Sequence, residues 1–279
     1  MKSIEIRNLT LILSGKAILK QINIKLYAGH VIGLVGPNGS GKTSLLKTIL
    51  GLYPTYKGEI IKSTLSYSGI LEEPGFSPFL SGLENIKYLC ENTSNLWEYI
   101  NKFEMVNYIK DKVSTYSQGM RQRLALVTIF AQDKDILIFD EPLNALDIKA
   151  KKMFINIVNK KKSDNKIIVI SSHIFEDLGI EFDNIILLHE GKVIDRELSL
   201  IQNRYTIKFK DSKDLLNFKS KCDHELEIIN SVTAEVHLKL PPETFLDKYS
   251  KSGIVGFWRI SMNQRYFEVL AGRSGNDEK

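Results

Sequence analysis

One octapeptide constrains this chain more than anything else in it. Gly36-Pro37-Asn38-Gly39-Ser40-Gly41-Lys42-Thr43 reads G-x-x-x-x-G-K-T, the pattern of a phosphate-binding loop. The flanks supply the context that the pattern needs. Val31-Ile32-Gly33-Leu34-Val35 is a short apolar run suited to a buried parallel strand. Ser44 opens a stretch that runs to Leu50 and stops at Gly51, as a helix would. Glycines let backbone N–H groups turn inward around anionic oxygens, and the helix directs the positive end of its dipole to the same place. Residues 36–44 therefore read as a nucleotide site. Lys42 is expected to reach the β- and γ-phosphates, and the Thr43 hydroxyl to take a Mg²⁺ coordination position.

The remaining pattern is α/β. Residues 4–9 and 22–26 alternate apolar and polar, the period of half-buried strands, with a turn at Ser14-Gly15-Lys16. They predict an antiparallel layer beside the nucleotide strand. Residues 59–62 and 64–68 read as further strands, and Gly69-Ile70-Leu71-Glu72-Glu73-Pro74-Gly75 as a loop carrying two acids. From Leu83 to about Phe130 the apolar spacing turns helical, and Leu124 through Phe130 predicts a helix buried on most faces. Asp135-Ile136-Leu137-Ile138-Phe139-Asp140-Glu141-Pro142 predicts a buried strand that delivers two carboxylates at its C-terminal end, where open α/β sheets place ligands. Successive side chains of a strand face opposite ways, so Asp140 and Glu141 suit distinct roles if the strand ends between them. Residues 166–171 form another strand, followed by Ser172-His173, and residues 184–188 and 192–194 a last strand pair.

Composition excludes several classes. With 279 residues, 43% hydrophobic and 25% charged, the chain is an ordinary globular one, long enough for a large domain and a smaller one. The net charge of +5 is spread out, since residues 201–279 hold 13 Lys and Arg against 11 Asp and Glu. That argues against a nucleic-acid-binding tail. Cys90 and Cys222 lack metal-ligand spacing and read as reduced structural thiols of a cytoplasmic protein. No apolar run is long enough to span a bilayer, and Glu5, Arg7 and Asn8 interrupt any signal-peptide pattern. The expectation is a chain soluble by itself that reaches the cytoplasmic face of a membrane through a partner.

With an acidic strand following a phosphate loop, residues 1–200 resemble an ABC transporter ATP-binding subunit. Ser117-Gln118-Gly119-Met120-Arg121-Gln122 stands where that family has its Leu-Ser-Gly-Gly-Gln signature, with Gln118 in place of the first glycine. The resemblance implies an α/β P-loop ATPase domain: a mixed sheet, an antiparallel layer and a helical subdomain at about residues 74–130. It implies ATP and Mg²⁺ as ligands and a head-to-tail homodimer, in which Ser117, Gln118 and Gly119 close over the nucleotide of the opposite protomer. Asp140 then looks like the acid that holds Mg²⁺, Glu141 like the general base and His173 like the histidine that contacts the γ-phosphate. Asn144-Ala145-Leu146-Asp147 resembles the loop that communicates across the dimer.

Two departures from the family pattern bear on specificity. An aromatic residue usually stacks on the adenine; here Leu13 matches that position, which implies apolar contact instead. Glu72 falls where a glutamine usually touches Mg²⁺ and the attacking water; Glu73 is the alternative equivalent. This Glu-Glu-Pro loop resembles that of lantibiotic self-protection exporters and their bacitracin-resistance relatives. Residues 111–116 lack the acidic Gly-Glu-Arg-Gly-like segment of multidrug-type exporters. Together these imply an ATPase that powers export of a peptide antibiotic, or another amphiphile, through a separate permease of ABC-2 type. An ABC-2 type exporter of an unrelated substrate and a non-transport ABC ATPase remain as alternatives.

Residues 201–279 carry no nucleotide motif. Strands at 205–210, 226–229, 234–240 and 254–260, with helices at 212–221 and 242–250, predict a small α+β accessory domain of β-α-β-β-α-β order. The lysines at 149, 151, 152 and 160–162 read as a solvated helix face.

Overall fold

Ser14 and Gly15 take φ of +49° and +78°, the pair of left-handed conformations that a two-residue hairpin turn requires. That turn joins β1 (Ser3–Leu13) to β2 (Lys16–Tyr27), both well beyond the alternating segments that the sequence marks. The computed structural model describes residues 2–64, 66–71, 75–90, 95–172, 180, 182–195, 204–238 and 240–259. These fall into two compact units, Met1–Arg196 and Glu197–Lys279.

In the first unit, β4 (Lys57–Lys62) pairs with β1 to complete an antiparallel sheet of order β2-β1-β4. A second sheet is built from β3 (His30–Val35), β5 (Tyr67–Ile70), β6 (Ile136–Asp140), β7 (Ile167–Ser172), β8 (Asn184–His189) and β9 (Lys192–Asp195). Its order among the described residues is β5-β6-β7-β3-β8-β9, parallel except for β9. Helix α1 (Lys42–Ile49) follows β3 across the glycine loop. Ile4, Ile6, Leu26, Leu45, Ile138 and Val169 belong to one buried cluster that joins the antiparallel layer, α1 and the parallel sheet. Ile32 and Leu34 of β3 join this cluster, Val31 and Val35 are buried outside it, and β6 and β7 are buried at every position.

The helical segment comprises α2 (Gly82–Leu89), α3 (Leu96–Lys102) and α4 (Gln118–Ala131). A reciprocal capping box starts α2: Ser81 Oγ accepts from the Glu84 N–H, and Glu84 Oε2 accepts from the Ser81 N–H. The helical spacing expected from Leu83 to Phe130 is not continuous. Residues 103–117 are turns with one short 3-10 helix (Val113–Thr115), and they bury Phe103, Met105, Ile109 and Tyr116 without helical backbone. The strand expected at 64–68 lies instead at Tyr67–Ile70, because pairing with Ile136 through Phe139 fixes its register. Helix α5 (Ile148–Ser163) is not simply a solvated basic face. Lys161 is 4% exposed and donates to Asp133 at 2.6 Å, Lys162 reaches Asp183 at 2.6 Å, and Lys149 pairs with Glu104.

The second unit contains β10 (Arg204–Phe209), α6 (Ser212–Lys221), β11 (Glu225–Asn230), β12 (Thr233–His237), α7 (Pro242–Lys248) and β13 (Ile254–Arg259). Its sheet has the order β11-β12-β10-β13, all antiparallel, the arrangement of a split β-α-β unit. Ile207, Phe209, Phe218, Val236 and Phe245 are buried in a core of its own.

Candidate functional site

The loop between β3 and α1 departs from ordinary backbone at three glycines. Gly41, the residue before α1, has φ +105° and offers no side chain to cap the helix, so the first-turn N–H groups face the loop's concavity. A Cβ on Gly41 would meet Leu19 Cδ2 at 2.9 Å, and one on Gly36 would meet Leu188 O at 2.0 Å. Gly39, at φ +78°, faces open space. The hairpin between β8 and β9 braces this loop from below: the Gly191 N–H donates to Ser40 O at 3.0 Å.

Lys42 is 6% exposed and donates to Gly36 O at 2.7 Å and Pro37 O at 3.2 Å. Burial lowers its pKa, while the charges of Glu141 and Asp140 act in the opposite direction. The Thr43 hydroxyl donates to Asp140 Oδ2 at 2.5 Å, joining the helix that follows the glycine loop to the end of β6. Ser171 donates to the other Asp140 oxygen. The strand does end between the two acids: Asp140 closes β6, and Glu141 turns away at φ +48°. The Glu141 N–H donates to Ser171 Oγ at 3.1 Å, and its Oε2 accepts from Asn144 Nδ2 at 2.7 Å. In the parallel register Asp140 lies opposite Ser171 and Val35 opposite Ser172, so these strands deliver their ends at one level.

A cleft of about 1160 Å³ opens over these groups. Asn38, Gly39, Gly41, Lys42, Thr43 and Ser44 line it from the loop side, and Asp140, Glu141 and Asn144 from the sheet. Gln118, Arg121 and Gln122 of α4 also reach it, whereas Ser117, Gly119 and Asp147 are not among its lining residues. Ser117 caps α4 by accepting the Met120 N–H at 3.2 Å. Gly119 packs so closely on the 141–147 turn that a Cβ would meet Ala145 O at 2.8 Å. Asp147 caps α5 and pairs with Arg123. Leu13 faces Lys16 across the hairpin and packs against the core; Lys16 and Ile18 of β2 line the cleft there instead. Glu72, Glu73 and His173 lie outside the described residues.

The donor set fits a polyphosphate with a hard divalent cation. Thr43 Oγ1 and Asp140 present adjoining oxygens, the ligand type Mg²⁺ takes. Ser40 Oγ is buried beside Gly36 without a hydrogen-bond partner among the described residues, a polar atom left over inside the cradle.

A family model described as "ABC transporter" matches residues 19–144. The uncharacterized ABC transporter ATP-binding protein YdbJ of Bacillus subtilis is 33% identical over 205 residues, 67% of this chain and 66% of the relative. The lantibiotic transport ATP-binding protein SrtF of Streptococcus pyogenes is 32% identical over 203 residues, 68% of this chain and 89% of the relative. The chain belongs to the ABC transporter ATP-binding proteins. The bacitracin transport ATP-binding protein BcrA of Enterococcus faecalis is 32% identical over 224 residues, 73% of each chain. Among solved structures, a dimeric bacterial ABC transporter cassette superposes with a TM-score of 0.63 at 23% identity, over 70% of this chain and 97% of the cassette. This bears out the expected α/β cassette fold, and the chain is a member of the ABC ATPase family. Among the described residues no helix is long and apolar enough to cross a membrane.

Sequence reading passed over several groups in this site. There Ser171 is only the last residue of the strand expected at 166–171, because one serine at a strand end carries no pattern. Lys16 and Ile18 give no signal at all, since only the closing of the β1–β2 layer over the loop brings them to the cleft.

Proposed function

We propose that this ABC ATPase powers export of a lantibiotic-like peptide, or another amphiphile, through a separate permease of ABC-2 type. The observation that carries the ATPase part is the convergence of Lys42, Thr43, Asp140 and Glu141 on one cleft. Residues 36–44 hold the phosphates, with Lys42 balancing their charge. Thr43, Asp140 and Glu72 hold Mg²⁺, which when bound neutralises charge developing on the phosphate oxygens. Glu141 takes a proton from the attacking water, and His173 contacts the γ-phosphate. Ser117, Gln118, Gly119 and Asp147 face the nucleotide or the turn of a second protomer, closing a head-to-tail homodimer. Ile18, which lines the cleft where Leu13 was expected, gives the adenine an apolar flank.

An apolar groove of about 450 Å³ is lined by Leu50, Leu71, Gly75, Phe76 and Leu89, so that its lining includes the two residues that flank positions 72–74 in sequence. Phe79, three residues after Phe76 in sequence, is 80% exposed. Such a surface suits a short helix of the permease, docked at the cytoplasmic face of the membrane. The peptide-antibiotic part is supported by the Glu72-Glu73-Pro74 loop and by two relatives named for lantibiotic and bacitracin transport. Survival of cells challenged with lantibiotics or bacitracin tests it, with this chain and its permease expressed as wild type or Glu141→Gln. Resistance that vanishes in the variant is the expected result. No protection from the wild type, with ATP hydrolysis intact, removes the peptide substrate and keeps the ATPase.

A further inference from the structure

The Glu141 carboxylate is tied down by a residue three positions on. Asn144 Nδ2 donates to Glu141 Oε2 at 2.7 Å, and the Asn144 N–H donates to Glu141 O at 3.3 Å. One residue thus holds both the backbone and the side chain of Glu141, whose φ of +48° already departs from the extended strand. Asn144 is exposed, so its amide does not serve to fill the interior. Leu143 and Leu146, at 6% and 7% exposure, anchor the turn instead.

The same turn is fastened to α4 at three points. Gln122 Nε2 donates to Pro142 O at 2.9 Å, Arg123 pairs with Asp147, and Gly119 lies against Ala145 O. A shift of α4 therefore moves the turn, and through Asn144 it moves the carboxylate.

We propose that Asn144 is a positioning residue for Glu141: its side-chain amide fixes the orientation of the carboxylate and makes that orientation follow α4. The inference rests on the reading of Glu141 as general base and deepens it. A glutamate side chain rotates about three bonds, and a donor held in place on one oxygen restricts that rotation before the water attacks. The donor must be uncharged and must be a donor; an aspartate of the same shape would set a second carboxylate against the first.

Steady-state ATP hydrolysis by the full-length protein tests this, comparing wild type with Asn144→Ala and Asn144→Asp. Asn144→Ala is expected to lower kcat about tenfold, the size of one hydrogen bond to a charged group, with KM for ATP unchanged. Asn144→Asp is expected to be slower still, although it is the closer match in shape. A packing role predicts the reverse order, because the isosteric variant would then be the milder one. In a Glu141→Gln background, Asn144→Ala should leave ATP-driven dimer assembly, followed by light scattering, as it was. The proposal is overturned by an Asn144→Asp protein as fast as Asn144→Ala, by a loss carried in KM, or by weakened assembly, which would place Asn144 across the dimer. A wild-type protein without ATPase activity would overturn the general-base reading first and the positioning role with it.

Discussion

Ser171→Ala tests how the Asp140 carboxylate is held. Ser171 is 0% exposed and sits opposite Asp140 in the parallel register of β6 and β7. Its hydroxyl donates to Asp140 Oδ1 and accepts the Glu141 N–H at 3.1 Å. Asp140 is 9% exposed, and the Thr43 hydroxyl donates to its other oxygen. Truncation keeps the Glu141 N–H near Ser171 O, at 3.3 Å, but takes one of two donors from a nearly buried carboxylate. A hydrogen bond to a charged group contributes about 1.5–3 kcal/mol, so the loss expected is about 2 kcal/mol. Urea unfolding measures it, with Trp97 as the fluorophore in a Trp258→Phe background so that the first unit is observed alone. A carboxylate free to turn away should also raise the Mg²⁺ concentration for half-maximal ATPase activity by about tenfold, a change of about 1.4 kcal/mol. Stability within about 0.5 kcal/mol of wild type, the scatter of an ordinary surface substitution, together with an unmoved Mg²⁺ titration, would refute this account of Asp140.

Phe130 is 0% exposed and packs its ring against Tyr99, Phe103, Phe139 and Phe154, at centroid distances of 5.7, 6.3, 5.4 and 5.9 Å. Phe130→Ala should cost about 3–5 kcal/mol in the same urea assay, as large-to-small core substitutions do. Gly191→Ala, at φ +77° with its Cβ 2.2 Å from Ile18 O, should cost more than about 2 kcal/mol from left-handed strain and backbone clash together. Because Gly191 also holds Ser40 O, ATP affinity should fall in parallel, read by fluorescent-nucleotide titration. The Ala150 N–H and the Arg123 guanidinium hold Asp147 below the usual carboxylate range. A lowered carboxylate stabilises the fold fully above its unfolded pKa of about 3.9, and that contribution is lost as pH falls through the lower folded value. Asp147→Asn should therefore flatten the decline in urea midpoint measured from pH 5 downward, and an unchanged slope would count against the contact.

The nucleotide loop was legible because its chemistry is local. Eight consecutive residues, a preceding apolar strand and a following helix specify a phosphate cradle without any partner from elsewhere in the chain. The paired acids were legible for the same reason, as was the β-α-β-β-α-β order of the second unit. Register was not legible. Residues 64–68 alternate acceptably by themselves, but only pairing with Ile136 through Phe139 moves the strand to Tyr67–Ile70. Nor was it legible that residues 103–117 satisfy their backbone as turns, since helical spacing of buried side chains can arise from a folded loop. The lysines of α5 read as solvated because their partners, Asp133, Asp183 and Glu104, are distant in sequence.

The sequence by itself determined which groups have the chemistry to fit phosphate and a metal ion, since those groups are set by residue type at short spacing. Tertiary structure alone decided how they are held. Ser171 reaches Asp140 because two parallel strands end at one level, and Asn144 reaches Glu141 because the chain reverses just after β6. Gly191 braces Ser40 because the hairpin that follows β8, the parallel neighbour of β3, returns beneath the loop. Contacts between residues far apart in the chain depend on the packing of every layer between them, and no local pattern records that packing.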